Sequence, residues 1–172
     1  MSTFTIRGDI DVPETGTSLN NLIFNYQSPD RTRAWKVIRA RIWVADWDSP
    51  SPGADKAGMF GAVLATDLVS VGWGYSASAA DNRVFGWNQQ QMLTRGTTNI
   101  FVPQGGMNPQ ADFILDSDRI ITNQLYLNTT NNLEGATSTT TIAYLIELEE
   151  VKVSPENAII LQLKGMGQDI DN

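Results

Sequence analysis

From Trp35 to Trp47 the chain alternates side chains with a period of two, in a run rich in β-branched and aromatic residues. Ile38, Ala40, Ile42 and Val44 share one parity, and Trp35, Val37, Arg39, Arg41, Trp43 and Trp47 share the other. A helix would scatter both sets around its axis, so the run predicts a long strand with two unlike faces. Asp48-Ser49-Pro50-Ser51-Pro52-Gly53 ends it, because proline cannot donate to a ladder.

Shorter strands follow from the same rule. Phe4, Ile6, Ile10 and Val12 stand at even spacing before Pro13, so residues 1–20 read as an extended arm or first strand. Leu22–Tyr26 is a second strand, closed by the turn residues Ser28-Pro29-Asp30. Met59–Leu68 fits one or two helical turns, whereas Leu68–Trp73 reads as a strand. Val84–Trp87, Ile100–Val102, Phe113–Leu115 and Gln124–Leu127 are short strand candidates. Asn128–Thr141 is uncharged apart from Glu134 and reads as a surface loop joining a hairpin. Thr140–Val153 is the next long strand; its apolar parity switches near Glu149-Glu150, which predicts a bulge there.

Residues 154–167 carry a helix signal. Ser154 is a good N-cap, Pro155 suits the first helical position, and Ile159, Ile160, Leu163 and Met166 form one apolar stripe. Many short strands without alternating helices predict an all-β fold: an antiparallel β-sandwich of jelly-roll type, with about eight strands and a short C-terminal helix. No repeat or linker divides residues 1–172, so a single domain is expected. A chain of this length can bury roughly 70% of its unfolded surface, enough for its own core.

Chemistry is constrained by what is missing. There is no histidine and no cysteine. That excludes a Ser-His-Asp triad, a cysteine nucleophile, a thiolate or imidazole zinc site and any disulfide. No enzyme is expected and no catalytic residue is assigned. Two carboxylate pairs, Asp46 with Asp48 and Asp116 with Asp118, could offer oxygens to a hard cation. Neither has a third ligand or EF-hand spacing, so polar turn residues are the simpler reading. No metal site and no cofactor are assigned, calcium being the one ion these pairs would suit.

Charged residues are 18% of the chain, against a usual value of about 25%. A neutral polar surface suits faces that meet other subunits. Net charge is −7, and residues 100–172 account for all of it, with ten acids against Arg119, Lys152 and Lys164. An acidic chain without a basic tail is a poor dedicated nucleic-acid binder. The start lacks an apolar core of the kind a secretory signal needs, and no stretch suits a membrane span.

Arg31, Arg33, Lys36, Arg39 and Arg41 are interleaved with Trp35 and Trp43. Cations and aromatics on one strand face suit either a subunit interface, where Trp and Arg are enriched, or a limited stacking platform for single-stranded nucleic acid. Trp73, Tyr75 and Trp87 among Asn and Gln are the residues that could line a sugar groove; core packing is the simpler account.

The segment from Ile120-Ile121-Thr122-Asn123-Gln124-Leu125-Tyr126-Leu127 through Thr141–Val153 to Ser154-Pro155-Glu156 resembles capsid proteins of small environmental viruses. The resemblance is to the closing strands of a single jelly roll and covers about a third of the chain. It implies a structural virion protein, made in the host cytoplasm and located in the virion. Its implied partners are copies of itself and other virion proteins. Many such proteins carry a basic N-terminal arm, whereas residues 1–30 here hold only Arg7 as a base. Either the genome is packaged by other means or the protein is a minor component. The rival class is a carbohydrate-binding β-sandwich, lectin-like or a receptor-binding spike module.

Overall fold

The computed structural model describes residues 2–13, 15–26, 32–47, 56–69, 81–95, 100–103, 112–133 and 140–154, with 156, 157, 159 and 160. These residues form nine strands: β1 (Thr3–Val12), β2 (Thr15–Asn25), β3 (Arg33–Trp47), β4 (Lys56–Ala65), β5 (Val84–Arg95), β6 (Ile100–Pro103), β7 (Ile114–Leu115), β8 (Gln124–Leu133) and β9 (Thr140–Lys152). One sheet has the order β1-β9-β3, the other β2-β8-β4-β5-β6, with β7 also paired to β5. Every strand pairing is antiparallel.

The expected all-β sandwich is what the strands build. Its core joins both sheets: Val12, Val37, Ala40, Ile42, Ile142, Ile146 and Leu148 from the first meet Phe60, Ala62, Leu64, Phe85, Leu125 and Leu127 from the second. Burying apolar side chains from two facing sheets is the main stabilising contribution, about 25 cal/mol per Å² removed from water. Sequence neighbours sit in opposite sheets at β1/β2, β2/β3, β3/β4 and β8/β9. On either side of β7 the chain touches the outer edge of β3, through the bridge Arg41–Asp112 before it and Trp35–Ile121 after it. Trp35 and Ile121 exchange backbone hydrogen bonds of 2.9 and 2.6 Å, and the Phe113 N–H donates to the Ala40 carbonyl.

Several elements differ from expectation. Residues 56–65 are strand, with no helical turn; residues 68 and 69 lie outside any strand, and the rest of the expected Leu68–Trp73 strand lies outside the described residues. The supposed loop 128–133 completes β8, and β8 and β9 lie in different sheets rather than in one hairpin. Asn128 and Asn131 are buried there, at 0% and 2% exposure. Asn131 donates from Nδ2 to Thr140 Oγ1 (3.0 Å), while its Oδ1 and the Asn128 Nδ2 are buried without a hydrogen-bond partner among the described residues. β9 runs straight, pairing with β1 from Thr3–Glu149 to Val12–Thr140 without a shift.

The irregularity expected near Glu149 belongs instead to β3, whose register against β9 shifts between Val37 and Arg39 and between Val44 and Asp46. The extra residue Ile38 switches the parity of β3. Val37 therefore goes inward with Ala40 and Ile42, and Ile38 is turned out at 46% exposure.

No helical element is defined among the described residues. Glu156, Asn157, Ile159 and Ile160 have helical backbone, and the Asn157 N–H donates to Ser154 Oγ (3.2 Å). Leu163, Met166 and the remainder of the expected helix lie outside the described residues.

Candidate functional site

The outer face of the β1-β9-β3 sheet collects the charged and aromatic side chains. Register sets them in rows: Thr3–Glu149–Lys36, Thr5–Glu147–Arg39, Arg7–Leu145–Arg41 and Asp9–Ala143–Trp43. Asp112 sits beside this face, with Oδ1 2.5 Å from Arg41 Nε and 3.6 Å from Arg39 Nε. Trp43 is 41% exposed next to these ion pairs, and Ile114, two residues beyond Asp112, is 76% exposed. Four bases (Arg7, Lys36, Arg39, Arg41) thus meet five acids (Asp9, Asp11, Asp112, Glu147, Glu149) on and beside one surface. The cluster of cations legible in the sequence is therefore matched by acids brought from β1, β9 and the β3 edge. A surface neutralised in this way has little field to attract phosphates.

The sequence-marked residues divide. Arg39, Arg41 and Trp43 do share the outer face. Trp35 does not: the parity switch at Ile38 turns it inward, into a cluster with Phe4, Phe24 and Tyr26. Its ring meets those of Phe24 and Tyr26 edge-on at 6.0 and 5.9 Å, a favourable geometry for aromatic quadrupoles. Arg33 pairs with Glu150 at 2.9 Å. Arg31 lies outside the described residues. Ile159 and Ile160 are each 50% exposed.

On the outer face of the second sheet, Trp87 packs against a buried cluster of Val63, Ala65, Val69, Val84 and Tyr126. Its indole Nε1 is buried without a hydrogen-bond partner among the described residues. Asn20 holds Val69 over this face: its Nδ2 donates to the Val69 carbonyl (3.1 Å) and its Oδ1 accepts from the Val69 N–H (2.9 Å). Asn20 adopts φ 58°, a left-handed conformation that asparagine tolerates better than most residues. Trp73 and Tyr75 lie outside the described residues.

Asp116 and Asp118 form a turn, with the Asp118 N–H donating to Asp116 Oδ1 at 3.0 Å. Asp48 lies outside the described residues, and Asp46 is described only in its backbone. Among the described residues no group of three acidic side chains could hold a metal ion, and no helix is long and apolar enough to cross a membrane.

Beyond Asp116 a polar clasp joins three segments. Arg83 grips Asp81 through Nε (3.0 Å) and Nη2 (2.9 Å) and donates from Nη1 to the Leu68 carbonyl (3.2 Å). Arg119 Nη2 donates to Thr66 Oγ1 (2.6 Å). Burial pulls the Arg119 guanidinium below its ordinary pKa, opposed by Asp116 and Asp81. The hydrogen bonds of Arg83 hold the Asp81 carboxyl below the usual carboxylate range.

Sequence reasoning missed Asp112 and Ile38 as members of the outer face, and it did not set Glu147 and Glu149 beside Lys36, Arg39 and Arg41. The acids became neighbours of the arginines only through strand pairing, which alternation in a single strand does not encode.

The chain matches no protein-family model and no curated protein sequence. Among solved structures it is similar to the Trichodysplasia spinulosa-associated polyomavirus VP1, at 10% identity and a TM-score of 0.41, covering 89% of this chain and 96% of that one. It is also similar to a legume lectin-like domain from Entamoeba histolytica, at 10% identity and a TM-score of 0.24, covering 88% and 90%. Likeness at these TM-scores carries no argument for ligand or assembly.

Proposed function

We propose that this chain is a non-catalytic structural subunit that assembles with copies of itself into a closed, multi-copy shell, as a virion coat protein does. The observation that carries this reading is the outer face of the β1-β9-β3 sheet. Trp43 and Ile38 stand exposed there beside the Arg39–Asp112–Arg41 ion pairs, on a surface whose charges nearly cancel. Tryptophan, arginine and large apolar residues on a near-neutral face are the composition of a subunit contact.

The strand order supports a jelly roll. With Asp112 and Ile121 bridged to the β3 edge, β1-β9-β3 faces β2-β8-β4-β5, and half of the successive strand pairs, β1/β2, β2/β3, β3/β4 and β8/β9, alternate between sheets. Jelly rolls serve both capsids and lectins, so the architecture alone does not choose between them. The exposed Trp43 face favours assembly, whereas Trp87, the described residue of the sugar-groove set, is packed into its own sheet. Copies of the same chain are then the main partners, with other virion proteins next, and the virion is the location.

The test is size. Light scattering after size-exclusion chromatography, with negative-stain images of the peak, is expected to show closed multimers of the full chain. Trp43→Asp is expected to shift the population to smaller species while the melting temperature holds. A monodisperse 18.9 kDa monomer at every concentration would overturn the proposal.

A further inference from the structure

We infer that β1 is a self-pairing edge: two copies of the chain join the outer edges of their β1 strands antiparallel about a twofold axis, with Arg7 of each opposite Asp9 of the other. This rests on the self-assembly reading and names one contact within it.

A sheet edge is a template for another strand, and folds blunt their edges by bulges, short strands or covering segments. The other edges described here are blunted. β2 shifts register between Ser18 and Asn21 and again between Leu22 and Phe24. β6 has 4 residues. The edge of β3 is covered by the bridges to Asp112 and Ile121. β1 has 10 residues and an unshifted register, and among the described residues no strand pairs with its outer side.

The backbone polarity of that edge follows from one hydrogen bond. The Glu150 N–H donates to the Ser2 carbonyl (2.9 Å), so Ser2 and Glu150 are a hydrogen-bonded pair. Antiparallel ladders alternate, so even-numbered residues of β1 direct their N–H and C=O groups to β9. Thr3, Thr5, Arg7, Asp9 and Asp11 direct theirs to the open edge. All five are exposed.

An antiparallel partner must offer the same odd-numbered residues, and a second β1 does so when Gly8 faces Gly8. Arg7 then lies opposite Asp9 and Thr5 opposite Asp11, each twice by symmetry. On the inner side Ile6 lies opposite Ile10, both half-buried. Opposite charges directly across a strand pair stabilise it, and like charges destabilise it. Among the described residues neither Arg7 nor Asp9 has an ion-pair partner within its own chain. The sequence Arg7-Gly8-Asp9 is thus complementary to itself in antiparallel register, the requirement for an isologous contact.

The experiment is a charge exchange on the full chain, followed by sedimentation velocity, amide hydrogen exchange on β1 across a concentration series, and negative-stain images. Wild type is expected to associate, with the Arg7 and Asp9 amides gaining protection as concentration rises. Arg7→Asp and Asp9→Arg are each expected to weaken association roughly tenfold, and the double variant to return to within about threefold of wild type. Circular dichroism identifies any variant that fails to fold, and wild-type amide exchange decides the question in that case. Single variants that associate like wild type, or β1 amides that stay unprotected in assembled protein, would overturn the inference. Particles that form undiminished in Arg7→Asp retain the shell reading and remove this contact. Pairing through β1 without particles retains the contact and removes the shell. A monomer at all concentrations removes both.

Discussion

At the scale of single residues, Asp81 shows how one carboxylate ties loops to a sheet. It accepts from Arg83 Nε, Nη2 and N–H, while Arg83 reaches the Leu68 carbonyl and accepts at its own carbonyl from the Thr66 N–H. Its pKa is depressed, first by the Arg83 side-chain hydrogen bonds, against desolvation that raises it. A depressed folded-state pKa means that the ionised form is favoured by folding. The stability it contributes is complete above the unfolded value of about 3.9 and is lost as pH falls through the folded value. Asp81→Asn is therefore expected to cost about 1 kcal/mol at neutral pH, a figure kept low because the pair is partly solvated. Urea melts of both proteins at neutral pH and near pH 3 check this. The gap between variant and wild type should narrow in acid, and a gap of constant size would show that the ion pair is not its source.

At the scale of elements, β3 separates what the sequence displays from what it conceals. A period of two over Trp35–Trp47 identifies a strand, since no other regular structure alternates so. The assignment of faces failed because Ile38 is an inserted residue, and an insertion is defined only against a partner strand, here β9. The same reasoning yields an experiment. Deleting Ile38 would restore strict alternation while leaving Trp35 and Val37 inward and Lys36 outward, because Val37 and Arg39 already face consecutive β9 partners, Leu148 and Glu147. The loss is expected to stay within about 1 kcal/mol, since no side chain changes face. Ile38→Thr, at a position turned toward solvent, should change stability by only about 0.5 kcal/mol. A loss of several kcal/mol for the deletion alone would show that β3 needs the bend and twist of the bulge itself. The second half of β8, residues 128–133, was concealed for a different reason. Its Asn-Thr-Thr-Asn run has loop composition, yet pairing with β2 and β4 buries it. Tertiary pairing outweighs the weak local preference of such residues.

At the scale of the whole molecule, the distribution of charge decides which polymer this surface can meet. Read along the chain, Arg31–Arg41 is a basic segment and the last seventy-odd residues are acidic. Folding removes that separation, since β9 carries Glu147 and Glu149 to the middle of the first sheet, between Arg39 and Lys36 on one side and β1 on the other. Asp112 adds a further acid directly on Arg41. Single-stranded nucleic acid needs a continuous positive track with open aromatic faces, and here the track is interrupted while Trp35 is turned away from it. The expected outcome is that a labelled oligonucleotide binds the purified chain more weakly than about 10⁻⁴ M at physiological salt, the weak limit of non-specific binding. Fluorescence anisotropy across a salt series measures it. Replacing Glu147 and Glu149 together by Gln should bring binding into range, with a salt slope that reports the unmasked Arg39 and Lys36. If wild type itself binds at micromolar concentration with a steep salt slope, the acids do not mask the arginines, and the face serves nucleic acid rather than a neighbouring subunit. If both proteins stay unbound, the face is left to protein contact, where matched charges fix register between copies.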